Sequence, residues 1–552
     1  MHSCSDKSMS VASIKNILEN LPQKQVEQVV SSVVKDLKSK EVPEKSSIVL
    51  SNERGKPTVL YTKSISNKND LFSNDDLDNF AVNSNSSVRG LRKLTNFIRS
   101  KVGRNSVPKR YAEHFTEKQR KLDYLYKSDT FSFDTSKSKE QRPVIWADAT
   151  DLVEAVVEAR KFIGFYSVKL MADGGGDFFK LCLTILPEDY SSEECEQDCF
   201  EEPSKKRTKL YAEGGSAGCK AKLTSVKRTI ILGIVPDIKE TYENVKILFD
   251  LTKINDVSFK MVCDFKLMLL VNGMQTATST FPCPYCFVTL KELRCIGEDH
   301  SENADCEKSV SLKTYGDLRK DFYKFESMKK VKKFAPECHS TVNLPLLTEA
   351  DDVCVLEKCI IPELHVLLGF VNHLFWDGLV PILTEPVALL WPKKLNLVTK
   401  NYHGRQFEGN ACRVLLKSAD MLKDKDICGE VGELRVLPFI NAFKAMDKIV
   451  GNCFSTKKIE PETVQNLNKL NKILPATEIS KTLKIHVLLD HFMDCVNFLD
   501  GDGLGNWSEQ AGESIHHEFL IHWNRRKVSS FDNPSYINQL KSAVISFSSL
   551  NL

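Results

Sequence analysis

Apolar residues recur along this chain in two rhythms, one of short unbroken runs and one of three-to-four spacing. The first gives strands at Pro143–Trp146, Val168–Ala172, Phe178–Leu186, Thr229–Val235, Phe259–Cys263 and Ser279–Cys283. The second gives helices through Phe162 after an Asp-Ala-Thr-Asp start, over Thr241–Leu251 and Phe265–Met274, and late in the chain over Thr482–Phe498 and Ser508–Trp523. Two strands end on a carboxylate: Asp173 closes Val168–Ala172 before Gly174-Gly175-Gly176, and Asp264 closes Phe259–Cys263.

At 552 residues, two to four domains are expected. Residues 1–42 carry Ile14, Ile17, Leu18, Leu21, Val26, Val29, Val30, Val33, Val34 and Leu37 at helical spacing broken near Pro22. That fits a helical hairpin, a dimerising helix or an ordinary amphipathic helix. Residues 43–87 are rich in Ser, Asn, Asp and Lys and read as a mostly disordered linker, apart from a strand-like Thr58–Tyr61. Residues 88–142 read as a basic helical region. Residues 143–286 are expected to form the first part of a sheet core, with a disordered insert at 188–222. Residues 287–480 are helical and too long for a loop, residues 481–530 hold the two late helices, and 531–552 is a tail.

The net charge of +3 is what remains of 76 basic and 73 acidic residues, so a nucleic-acid surface requires uneven distribution. It is uneven. From Arg89 to Lys127 twelve Lys or Arg face three Asp or Glu, with Phe97, Tyr111, Phe115, Tyr124 and Tyr126 interleaved. Arg89, Arg92, Lys93, Arg99, Lys101, Arg104, Lys109 and Arg110 are the candidate phosphate contacts; a solvated helical face is the other reading. Seventeen scattered cysteines without a signal-peptide pattern point to reduced thiols in the cytosol or nucleus. Pro203–Lys209 has the composition of a nuclear-localisation signal. The most apolar stretch, Cys359–Trp376, is broken by Pro362, Glu363 and His365, so no membrane span is expected.

Three hairpin-connected strands, a helix and a further strand follow the order of a ribonuclease-H-like fold, in which Asp173 and Asp264 lie on neighbouring strands. With Glu513 on the last helix they would form a carboxylate set for two divalent cations, Mg2+ or Mn2+, about 3.5–4 Å apart. The glycines after Asp173 would let a DNA backbone approach. An ordinary Asp-Gly turn is the alternative reading. Cys283-Pro284-Tyr285-Cys286 is the single Cys-x-x-Cys in the chain: half a zinc site, a redox pair or two buried thiols. His486 and His491, in His-x4-His spacing, could complete a zinc site, but residues five apart do not share a face of a regular helix, so a distortion is implied.

Asp173-Gly174-Gly175-Gly176-Asp177, Asp264 nineteen residues before Cys283, the Cys-x-x-Cys, the His-x4-His and the segment Trp507-Ser508-Glu509-Gln510-Ala511-Gly512-Glu513 occur in a familiar order. Together with Gly409-Asn410-Ala411-Cys412-Arg413, this order resembles the catalytic core of Transib transposases and of the V(D)J recombinase catalytic subunit. The similarity spans about residues 168 to 523. It implies an α+β protein: a ribonuclease-H-like mixed sheet, interrupted by a large helical zinc-containing insertion and preceded by a helical N-terminal region. It further implies that Asp173, Asp264 and Glu513 (or Glu509, one helical turn earlier) are catalytic and bind Mg2+ or Mn2+, and that Cys283, Cys286, His486 and His491 bind Zn2+. The implied activity is cleavage of double-stranded DNA at transposon-type ends and joining of 3′ ends to a target, through a hairpin intermediate, by a homodimer in the nucleus.

The family's N-terminal RING-type cysteine cluster has no counterpart here, and residues 89–127 do not match its end-binding domain. A domesticated nuclear DNA-binding protein on the same fold, without transposition, is therefore the alternative. A helical interaction protein with a redox or buried Cys-x-x-Cys ranks below both.

Overall fold

The computed structural model describes residues 47–51, 57–61, parts of 92–99, 111–187, 228–294, 311–400 and 405–552, apart from isolated positions. The expected helices at 14–37, the insert at 188–222, the basic run 203–209 and Arg89, Lys101, Arg104, Lys109 and Arg110 lie outside the described residues.

The protein is α+β, with a six-stranded mixed sheet and many helices. Its strands are β3 (Lys127–Asp134), β4 (Lys139–Trp146), β5 (Tyr166–Asp173), β6 (Phe178–Pro187), β7 (Ile230–Pro236) and β8 (Lys260–Val262), in spatial order β3-β4-β7-β6-β5-β8. β5 is antiparallel to β6 and parallel to β8, and β6, β7, β4 and β3 are joined antiparallel in turn. β7 is buried along its whole length, as expected for a central strand with no polar alternation. A separate antiparallel pair, β1 (Ser47–Ser51) and β2 (Pro57–Tyr61), takes up the strand-like part of the stretch expected as a linker.

The longer helices include α1 (Tyr111–Leu125), α2 (Ala149–Arg160), α3 (Tyr242–Thr252), α4 (Phe265–Val271), α5 (Tyr315–Ser327), α6 (Glu363–His373), α7 (Glu433–Cys453), α8 (Gln510–Asn524) and α9 (Tyr536–Asn551). Thr241 caps α3 through its side chain, which accepts from Asn244 N, so the helix starts where the sequence places it. One hydrophobic cluster runs from the sheet into the helical part, joining Leu170 and Ile234 to Phe370 and Phe443. The described residues of 287–480 are mainly helical, and they share this core with the sheet.

Three expectations change. Residues 127–142 are not helical but form the β3–β4 hairpin, because Phe131 and Phe133 alternate with the polar Thr130, Ser132 and Asp134; Phe133 is fully buried and Phe131 partly so. Ser279–Cys283 is not a fifth strand. Pro282 cannot donate to a ladder, and Phe281 N is spent on Ser340 Oγ. The neighbour of β8 is instead Cys359, bridged in parallel to Met261, with Ile360 N donating to Met261 O.

The tail at 531–552 is α9, a core helix: Leu540, Ala543 and Val544 are fully buried, and Asn551 Nδ2 donates to Thr229 O at 3.0 Å. Glu363–Leu383 is long and apolar enough to cross a membrane, but 56% of its most apolar window is buried inside the protein, with Val366, Phe370 and Leu374 in the shared core.

Candidate active site and metal centre

Parallel pairing brings the first two acids to one edge of the sheet. Met171 of β5 pairs with Val262 of β8, and Asp173 and Asp264 each follow that last pair by two residues, so both chains leave the sheet at the same edge. Both carboxylates lie within electrostatic reach of Glu513. Asp264 caps α4, with one carboxylate oxygen accepting from Leu267 N at 2.7 Å. Asp173 Oδ1 accepts from Gly175 N at 2.9 Å, and Oδ2 lies 2.5 Å from His516 Nε2. Burial works against a charged Asp173, but His516, Gly175 and Lys180 outweigh it and hold the carboxyl below its ordinary range.

The glycines of this turn admit close neighbours. A Cβ at Gly174 would fall 2.1 Å from Glu240 Oε1, and one at Gly175 2.6 Å from His516 Nε2. These are side chains of the same molecule, so the turn is already crowded before any nucleic acid approaches.

The third acid arrives on α8, which leans on β5 at Gly512; a Cβ there would lie 3.5 Å from Met171 Cβ. Just before α8, the buried Lys169 of β5 donates its Nζ to Asn506 O and Ser508 O at 3.1 and 3.0 Å. Burial pushes Lys169 down to about 8, against the pull of Glu363 and Glu509.

Glu509 and Glu513 behave differently. The Glu509 side chain is buried, and its Oε1 accepts from His365 N at 2.9 Å and lies 3.1 Å from His365 Nδ1. Glu513 is 40% exposed, and burial together with repulsion from Glu509, Asp173 and Asp264 pushes it up to about 7, against the pull of His365. A carboxylate pushed up by its acidic neighbours is a hard oxygen donor that a divalent cation such as Mg2+ or Mn2+ would favour in its charged form. As positioned, Asp173 is taken by His516, and Glu513 Oε1 lies 3.6 Å from His365 Nε2.

Four residues at this edge escaped the sequence reading. They are Lys169, His365, Lys484 and His516, whose Nδ1 lies 2.5 Å from Lys180 Nζ, on the residue paired with Asp173 across β5 and β6. Lys484 stands two residues before His486, runs over Gly369 of α6, and is within electrostatic reach of Asp264 and Glu509. No spacing rule links these positions; only the sheet edge gathers them.

The second centre is the quartet Cys283, Cys286, His486 and His491, all buried, with ligand atoms within 4.8 Å of one another. Cys286 Sγ lies 3.3 Å from His486 Nε2, Cys283 Sγ 3.6 Å from His491 Nε2, and the two Nε2 atoms are 3.1 Å apart. A tetrahedral ion with bonds of about 2.0–2.3 Å needs ligand separations of roughly 3.3–3.8 Å; the two Cys–His distances match, and with small side-chain adjustments of the other pairs the quartet could hold a metal ion such as zinc.

The distortion implied by His-x4-His is a π-helical turn, Val487–His491, whose wider winding brings residues five apart onto one face. Asp490 Oδ2 lies 2.5 Å from His486 Nδ1 and 2.7 Å from Lys481 Nζ, leaving Nε2 as the donor toward the quartet. Burial opposes a charged Cys283, yet the hydrogen bond from Cys286 and the two imidazoles hold it well below the ordinary thiol range.

Among the candidate phosphate contacts, Arg92 and Lys93 are exposed and Arg99 is half-buried. No protein-family model matches this chain, and no curated protein matches it.

Proposed function

We propose that this chain is a DNA transposase or recombinase of the Asp-Asp-Glu type, built on a ribonuclease-H-like core and dependent on Mg2+ or Mn2+. What supports this reading is the β5–β8 register, from which Asp173 and Asp264 leave the sheet at one edge, together with the electrostatic reach of both to Glu513 on α8. The order β7-β6-β5-β8, with β5 parallel only to β8, supports the ribonuclease-H-like assignment. Asp173, Asp264 and Glu513 would hold the cations, and Cys283, Cys286, His486 and His491 would hold a structural Zn2+. Bound there, the cations supply activation of water or a 3′ hydroxyl and stabilisation of the leaving oxygen.

The residues of the chain do the remaining work. Gly175 N and His516 fix the orientation of Asp173, and Lys169 anchors the approach to α8. Clamping His486 and His491 to the Cys-x-x-Cys loop holds Lys484 against the acid edge. Exposed Arg92 and Lys93 suit phosphate contacts on double-stranded DNA, and the reading extends to a homodimer acting in the nucleus.

The test is Mn2+-dependent nicking of supercoiled DNA by the parent, Asp173→Asn, Asp264→Asn and Glu513→Gln. Each variant is expected to bind DNA and leave it uncut. Nicking at the parental rate by any of them would refute its assigned role and, if by all three, leave a DNA-binding protein without strand chemistry.

A further inference from the structure

Three consecutive parallel segments end at the same edge of the sheet. β5 ends on Asp173, β8 runs into Asp264, and the segment bridged to β8 through Cys359 and Met261 runs through Pro362 into α6, where His365 follows. The side chain of His365 lies between two acids of α8, with Nδ1 3.1 Å from Glu509 Oε1 and Nε2 3.6 Å from Glu513 Oε1. Glu509 Oε1 also accepts from the His365 backbone N at 2.9 Å, so the carboxylate grips both the main chain and the ring. The other oxygen, Oε2, is buried with no hydrogen-bond partner, so Glu509 is committed to His365 rather than to solvent.

Glu509 is the N-cap of α8 and Glu513, four residues on, stands on its first turn with its N donating to Glu509 O, so the two side chains lie on one side and a single imidazole spans them. A histidine fixed by a carboxylate at one nitrogen presents the other in a set direction, as in the shells that orient metal ligands. Here that direction is toward Glu513.

We propose that Glu509 and His365 form a positioning pair, through which the helical region 287–480 sets the orientation of the Glu513 carboxylate for divalent-cation binding. This inference rests on the carboxylate reading above and gives the two glutamates separate tasks: Glu513 faces the cations and Glu509 holds the histidine. It also gives the helical region a part in the site, because α6 begins where that region meets the sheet edge.

The test is titration calorimetry of Mn2+ into the zinc-loaded, DNA-free full chain, comparing the parent with His365→Ala and His365→Gln. The Gln amide nitrogen can reach the place of Nε2. His365→Ala is expected to weaken Mn2+ binding about ten- to a hundredfold, with zinc content and Tm held near the parental values, and His365→Gln to recover most of the loss. Parental Mn2+ affinity in His365→Ala would overturn the proposal, as would equal loss in both variants accompanied by a fall in Tm, which would mark a packing role. A parent that takes up no Mn2+ would instead overturn the carboxylate reading itself.

Discussion

Asp173, the last residue of β5, and Asp264, the N-cap of α4 just beyond β8, each follow the Met171–Val262 pair of these parallel strands by two residues. Neither is placed by its own neighbours in sequence. Ninety-one positions of chain separate them, with β6, β7 and α3 between. A carboxylate pair made in this way depends on the sheet, so changes to the acids themselves should disturb chemistry far more than folding.

Charge repulsion at this edge has a pH signature. Burial and neighbouring carboxylates push Glu513 up to about 7, and burial with Glu509 pushes Glu363 up to about 8, both from 4.5. An acid with a raised folded pKa contributes stability in its protonated form. That contribution is complete below about pH 4.5 and is lost as pH rises through about 7 and 8. In Mg2+-free buffer, Tm should therefore fall between pH 5 and 8, Glu513→Gln should flatten the slope, and added Mn2+ should raise Tm more at pH 8 than at pH 6. Differential scanning calorimetry across this range checks it; a slope unchanged by Glu513→Gln would contradict it.

The metal quartet should separate ligands from their support. Cys283→Ser and His486→Ala remove donor atoms and should abolish stoichiometric zinc, with a stability loss of at least several kcal/mol, given that structural zinc sites contribute on the order of 10 kcal/mol. Asp490→Ala removes the partner of His486 Nδ1 and should only weaken zinc about ten- to a hundredfold. Elemental analysis with chelator competition distinguishes the two classes. Full zinc occupancy in Cys283→Ser would rule the quartet out.

α9 offers a test of the fold independent of either centre. Leu540 is fully buried between the sheet and α9's neighbours, so Leu540→Ala should cost about 2–5 kcal/mol in urea denaturation with little change in the m-value. A cost under about 1 kcal/mol would mean that α9 does not pack on the sheet.

Much of the sheet was legible because β5, β6, β7 and β8 are near-continuous apolar runs, which is what a strand covered on both faces looks like. β3 was not. Its Lys127-Ser128-Asp129-Thr130 start is solvent-exposed, and two phenylalanines among polar residues, directly after a basic stretch, give too short an apolar alternation to mark an edge strand. Residues 531–552 passed for a tail because Ser542, Ser546, Ser548 and Ser549 dilute the apolar pattern; within α9 the hydroxyls find partners, as Ser548 does with Tyr126.

At the site, acids that end strands and a metal-type spacing can be read from local sequence. His365, His516, Lys169 and Lys484 cannot, since what makes them special is the partner each meets across 144, 343, 339 or more than a hundred residues of chain. The π-helical turn is intermediate: the five-residue histidine spacing demanded it, but only in combination with the distant cysteines.

Whether the three acids share bound cations, as proposed, can be read without knowing any DNA target. With Fe2+ in place of Mg2+, ascorbate and peroxide generate hydroxyl radicals at the bound ion, and the polypeptide breaks next to its ligands. Mapping of the fragments should give cuts beside Asp173, Asp264 and Glu513, suppressed by excess Mg2+ and lost in Asp173→Asn. Cuts confined to other segments, or an unaltered pattern in Asp173→Asn, would show that these carboxylates share no cation.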